Sequence, residues 1–124
     1  MRNVVTGTLI LIVVAGCAGR GGPATDDPNL ITLEEVQATN RTNAYDIVRA
    51  LRPRWLVLKG PSSFRAENPI QIYIDGTRMG GPSALETVPK IAIEEIRYYR
   101  PTAAQSRWGL NHTNGAIAVI TRRG

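Results

Sequence analysis

Apolar and polar positions along this chain fall into stretches of two different periods. Ile70, Ile72 and Ile74 alternate with Gln71, Tyr73 and Asp75, which predicts a strand with one apolar face. Asp75-Gly76 then supplies a positive-φ turn towards Thr77-Arg78-Met79, so a hairpin is predicted. Alternation resumes over Glu95-Ile96-Arg97-Tyr98-Tyr99 and stops at Pro101. The run Ala116-Ile117-Ala118-Val119-Ile120-Thr121 follows Asn114-Gly115 and is apolar on both faces, as a central strand requires. Trp55-Leu56-Val57-Leu58 reads as another strand, left through a turn at Lys59-Gly60-Pro61-Ser62.

A helical period appears between these strands. Ala44, Ile47, Val48 and Leu51 stand at i, i+3, i+4 and i+7, with Thr42 or Asn43 as cap, Asp46 in the first turn and Pro53 as the stop. Thr32-Leu33-Glu34-Glu35 has the spacing of a capping box, and Ser83-Ala84-Leu85-Glu86 repeats it before Pro89. Thr102 to Trp108 provides one or two further helical turns before Gly109. The interleaving predicts an α+β fold: a small mixed β-sheet of about four strands with short helices packed on it.

The first residues carry a different signal. Met1-Arg2-Asn3 is a short basic start, and Val4 to Gly16 is an uncharged apolar run. A membrane span needs about 20 apolar residues, so this run predicts a cleaved signal peptide over residues 1–16. Val14-Ala15-Gly16-Cys17 resembles the bacterial lipoprotein box, which implies that Cys17 takes the lipid. Two or three acyl chains on one cysteine would anchor the protein stably. Ala18, in place of an aspartate, resembles lipoproteins sent on to the outer membrane. Residues 17–29 then read as a lipidated cysteine and a Gly/Pro-rich tether, with the folded domain at 30–124.

The order of motifs resembles the plug domain of TonB-dependent outer-membrane receptors. The resemblance rests on the helix Ala44 to Leu51, on Ile72-Tyr73-Ile74-Asp75-Gly76, on Ile93-Glu94-Glu95-Ile96-Arg97, and on Gly109 with Asn114-Gly115-Ala116 to Arg122. It spans roughly residues 42–124 and implies a mixed sheet, with Asp75, Gly76, Gly109 and Gly115 at its turns. The chain departs from the family in three ways. No barrel strands follow Gly124, so no pore is expected from this chain. No extended apolar segment resembling the energy-coupling box precedes the domain. Tyr98-Tyr99-Arg100-Pro101 stands where the family often has an Arg-Gly-Pro turn.

With 124 residues, 43% of them hydrophobic and 20% charged, the chain is sized for one packed domain. A single Cys and a single His exclude an internal disulfide and the usual Cys/His zinc site. No catalytic constellation emerges. His112 lies in the polar stretch Asn111-His112-Thr113-Asn114 and reads as a solvated loop residue, while the carboxylates of Glu34-Glu35 and Glu94-Glu95 are adjacent and do not converge. The expectation is therefore a non-enzymatic protein without cofactor or metal.

Candidate binding chemistry lies in the basic residues. The net charge is +5, and all but two of the 15 basic side chains are arginine. Arg49, Arg52 and Arg54 cluster beside Trp55, and Arg97 and Arg100 flank Tyr98 and Tyr99. Arginine grips carboxylates and phosphates in a fixed fork and stacks on aromatic rings. Arg52, Arg54, Trp55, Arg97, Tyr99 and Arg100 are thus the candidate binding residues for anionic lipid headgroups, acidic glycans or an acidic protein surface. Nucleic acid fits an exported protein poorly. The expected role is a lipid-anchored binding or adaptor module of the bacterial outer membrane. Its expected partner is an envelope protein, for which a separately encoded β-barrel is one candidate. The alternative is a component of a split uptake system touching a siderophore or glycan.

Overall fold

The computed structural model describes residues 27–57 and 69–123. Cys17, the signal segment, most of the tether, Leu58 and the turn at Lys59 to Ser62 lie outside the described residues.

One five-stranded mixed sheet organises the fold, in the order β1-β4-β5-β2-β3. Its strands are β1 (Leu30–Ile31), β2 (Gln71–Ile74), β3 (Thr77–Gly80), β4 (Ile93–Tyr99) and β5 (Ala116–Thr121). β5 occupies the centre, antiparallel to β4 and parallel to β2, which accounts for its two apolar faces. β2 and β3 form the hairpin around Asp75-Gly76, where both residues have positive φ, 49° and 84°. The count exceeds the periodicity reading because β1 is only two residues long and leaves no alternation to detect.

One face of the sheet carries the main core. Tyr98, Ile117 and Ile72 form one row across the strands, and Ile31, Ile96, Val119 and Ile74 form the next. Ile93 joins this face because β4 bulges between Ile93 and Glu95, so that Glu94 has no partner on β5. Helices α1 (Leu33–Ala38) and α2 (Ala44–Leu51) cover the rows, with Val36, Ala44, Ile47 and Val48 buried. Burying each such isoleucine contributes about 1.5–3 kcal/mol, so these two rows dominate the stability.

The capping signals operate largely as the residue types dictate. Thr32 and Glu35 form the reciprocal capping box of α1, and Asn43 caps α2 by accepting from the Asp46 N–H at 2.9 Å. The Ser83 box does not form. Pro82–Thr87 is a 3₁₀ stretch without a side-chain cap, followed by a 3₁₀ turn at Lys90–Ala92. Helix α3 (Pro101–Trp108) starts on Pro101, whose missing N–H suits the first helical position.

Two expectations change. Trp55 and Leu56 belong to a 3₁₀ turn, Pro53–Leu56, not to a strand. Pro53 initiates that turn, and the buried Trp55 ring turns inward to stack on Tyr98 while its Nε1–H donates to the Pro28 carbonyl at 3.1 Å. β2 is buried on both faces, since Gln71 and Tyr73 are covered as well as Ile72. The end of the presumed tether is also tied to the domain: besides Pro28, the Asn29 carbonyl accepts from the Tyr98 N–H at 2.8 Å.

Candidate functional site

Four of the six candidate binding residues converge on one groove. The 3₁₀ turn after α2 brings Arg52, Arg54 and Trp55 to one side, and the corner between β4 and α3 brings Tyr98 and Arg100 to the other. The groove encloses about 590 Å³, and none of the described side chains lining it is acidic. Its base is the Trp55–Tyr98 pair, stacked with ring centroids 5.6 Å apart and planes 17° apart. Burial raises the Tyr98 hydroxyl above its usual pKa of 10.0, an effect partly opposed by the Arg100 charge. The first turn of α3 opens onto the groove through Pro101 and Thr102, and Arg100 leaves that helix end without a side-chain cap. Its unpaired N–H groups add to the positive potential.

The arginines here are not equivalent. Arg52 is committed internally: it pairs with Glu35 at 2.9 Å and donates to the carbonyls of Leu30 and Leu51, both at 3.1 Å. Because Glu35 also accepts from the Thr32 N–H, Arg52 clamps β1, α1 and α2 together. Arg54 and Arg100 are exposed and have no carboxylate within ion-pairing distance among the described residues. They are the groove's two available cations.

Arg97 and Tyr99 lie on the opposite face of the sheet. Arg97 sits 3.6 Å from Glu95, and Tyr99 meets Trp108 edge-on with centroids 4.9 Å apart. That face holds a second, smaller cluster in which Trp108 stacks on Tyr73 at 4.2 Å and Arg107 lies over both Tyr99 and Trp108. His112 belongs there too, which corrects its reading as a solvated residue: it is only 2% exposed. Its Nε2 lies 2.8 Å from the Tyr73 hydroxyl and its Nδ1 2.8 Å from the Gly109 carbonyl. A carbonyl only accepts, so Nδ1 carries a hydrogen, and in the neutral ring Nε2 then accepts from Tyr73. The polar letters around His112 concealed this, and a tyrosine on β2 facing away from the main core was the only hint.

Asp75, Gly76, Gly109 and Gly115 all have positive φ. Asp75 accepts from the Thr121 N–H at 2.8 Å and from the Thr121 hydroxyl, and these two bonds hold its carboxyl below the usual 3.8. Gly109 ends α3 at φ +106°, and Gly115 enters β5 at φ +86°. Among the described residues, no three His, Cys, Asp or Glu side chains gather in a way that could hold a metal. No helix among them is long and apolar enough to cross a membrane. No protein-family model matches the chain, and no curated protein is similar to it.

Proposed function

We propose that this protein is a non-enzymatic binding or adaptor module, tethered by a lipid on Cys17 to the bacterial outer membrane. In this reading it presents the Arg54–Arg100 groove to an anionic surface on an envelope partner, for which a separately encoded β-barrel is one candidate. The observation that carries the reading is the groove itself. Two arginines with no carboxylate in ion-pairing distance flank a stacked aromatic base, and nothing acidic lines the space between them among the described residues. Arginine and aromatic side chains are the kind that dominate binding energy at interfaces. The plug-like motif order is supported by the joining of the stretches around Ile72, Ile96 and Val119 in one sheet.

The test is photocrosslinking in living cells from position 100 of the full chain. One envelope species should be captured, and Arg54→Glu should abolish its capture. Undiminished capture from the Arg54→Glu protein would remove the groove from the proposal. Separately, Cys17→Ser should move the protein out of the membrane pellet, and retention there would overturn the lipid anchor.

The groove volume also lies in the range of small-molecule sites. This supports the second reading, a split uptake component holding an anionic siderophore or acidic sugar. A ligand at 100 times its Kd would add about 2.7 kcal/mol of stability, so a melting-temperature screen over such compounds separates the two.

A further inference from the structure

A second groove lies at the other end of β4, roughly 20 Å away at about 3.3 Å per strand residue, and shares no lining residue with the first. It encloses about 440 Å³ between α1, the 3₁₀ turn at Lys90–Ala92 and the start of β4. Its walls are mainly apolar. Val36 and Ile93 are buried there, and Ile91 stands at the lip with 81% of its surface exposed. Among the described residues, every charged one lining it is a cation: Arg41, Lys90 and Arg122.

The groove is held in shape before any partner arrives. Lys90 Nζ donates to the carbonyls of Gln37 and Thr39, at 3.1 and 2.6 Å, closing the end of α1. The Lys90 N–H bonds to the Thr42 carbonyl at 2.7 Å, and the Arg122 N–H to the Ala92 carbonyl at 2.8 Å. Arg41 and Arg122 have no carboxylate within ion-pairing distance among the described residues. An exposed isoleucine beside an apolar cleft forfeits hydrophobic free energy that a partner's side chain would recover.

We infer that this groove is a docking site for a peptide segment of another protein, one bearing a bulky apolar side chain flanked by carboxylates. The apolar side chain fills the cleft against Leu33 and Ile91, over a floor closed by the buried Val36 and Ile93, and the carboxylates meet Arg41 and Arg122. The concavity selects a peptide over a bilayer, because a lipid surface covers a protrusion but does not fill a cleft. The apolar walls select it over a nucleic acid, whose phosphates would gain nothing from them. This site is independent of the Arg54–Arg100 groove, so the domain has two faces with different tastes.

The experiment is photocrosslinking in cells from position 91 of the full chain, with the captured segment sequenced by mass spectrometry. The expected segment carries a large apolar residue with Asp or Glu close on either side. Reversing both rim charges, Arg41→Glu with Arg122→Glu, should cut the adduct at least about tenfold. Arg54→Glu with Arg100→Glu, the same change in net charge, should leave it intact. A synthetic peptide copying the captured segment should bind the purified protein, and its Glu→Lys version should not. The inference is overturned by an adduct to lipid, by self-crosslinking, by a captured segment without carboxylates, by no adduct, or by equal loss in the two double variants. Failure here leaves the Arg54–Arg100 reading standing, because the position-100 crosslink reports on it separately.

Discussion

Replacing Gly115 by alanine separates two costs that ordinarily arrive together. Gly115 and Gly76 both have positive φ, +86° and +84°, so alanine at either is strained by about 1–2 kcal/mol. They differ in what surrounds the new methyl group. At Gly76 it meets nothing within 4 Å. At Gly115 it falls inside contact distance of the Tyr99 carbonyl, with the Tyr98 hydroxyl 3.1 Å away. The carbonyl cannot swing aside cheaply, because Tyr99 pairs with Ala116 in the β4–β5 ladder. Forcing in that methyl adds an overpacking cost of about 1–3 kcal/mol. The entropy that alanine removes from the unfolded chain is similar at both positions and cancels in the comparison. Gly115→Ala should therefore be the less stable variant by about 1–3 kcal/mol, at about 4–8 °C of melting temperature per kcal/mol. Urea unfolding followed by the fluorescence of Trp55 and Trp108 gives the difference directly. If Gly115→Ala proves no less stable than Gly76→Ala, the close approach of β4 to the start of β5 is wrong.

The buried Tyr73–His112 bond should appear in a double-mutant cycle of Tyr73→Phe and His112→Ala. Each single change leaves a polar atom unpaired, so the double variant should lose less than the sum, with a coupling near ~1 kcal/mol; strict additivity would contradict the bond. Because the Thr121 bonds lower the pKa of Asp75, the stability it lends is present above its usual 3.8 and disappears as pH falls through the lowered value. Asp75→Asn should flatten that acid limb in a pH series of melts, and an unchanged limb would remove the contribution. Arg52→Ala breaks three hydrogen bonds and removes the cation paired with Glu35, for about 1.5–3 kcal/mol, whereas exposed Arg54→Ala should stay within about 0.5 kcal/mol of the parent. Equal losses in urea melts would show that Arg52 is no clamp.

Much of the sheet was legible because its apolar residues alternate or run unbroken. Ile72, Ile96 and Val119 mark three adjacent strands, and the two-faced apolarity of residues 116–121 identified the middle one. The bulge at Glu94 was not legible, since it is a matter of pairing register and leaves no mark on composition. Trp55 misled because a bulky apolar run after proline satisfies strand propensity equally well, and its inward turn depends on Tyr98, more than forty positions away. The same remoteness hid His112, whose partner is on β2. Of the candidate site, residue type singled out Arg54, Trp55 and Arg100, but as members of two separate clusters; that they line one groove is a matter of the fold. Residue type could not tell that Glu35 occupies Arg52, or that strand alternation sends Arg97 and Tyr99 to the reverse side of the sheet from Tyr98.

The central placement of β5 constrains when this molecule can exist as a folded object. A chain delivered from its first residue onward brings β1, β2, β3 and β4 before the strand that sits between β2 and β4. Until Thr121 has arrived, the two halves of the sheet share no hydrogen-bonded strand pair, and the rows through Ile117 and Val119 stay incomplete. The sheet is therefore completed only when its middle strand arrives, and the hairpin and the β4 half wait for it with their inner edges unpaired.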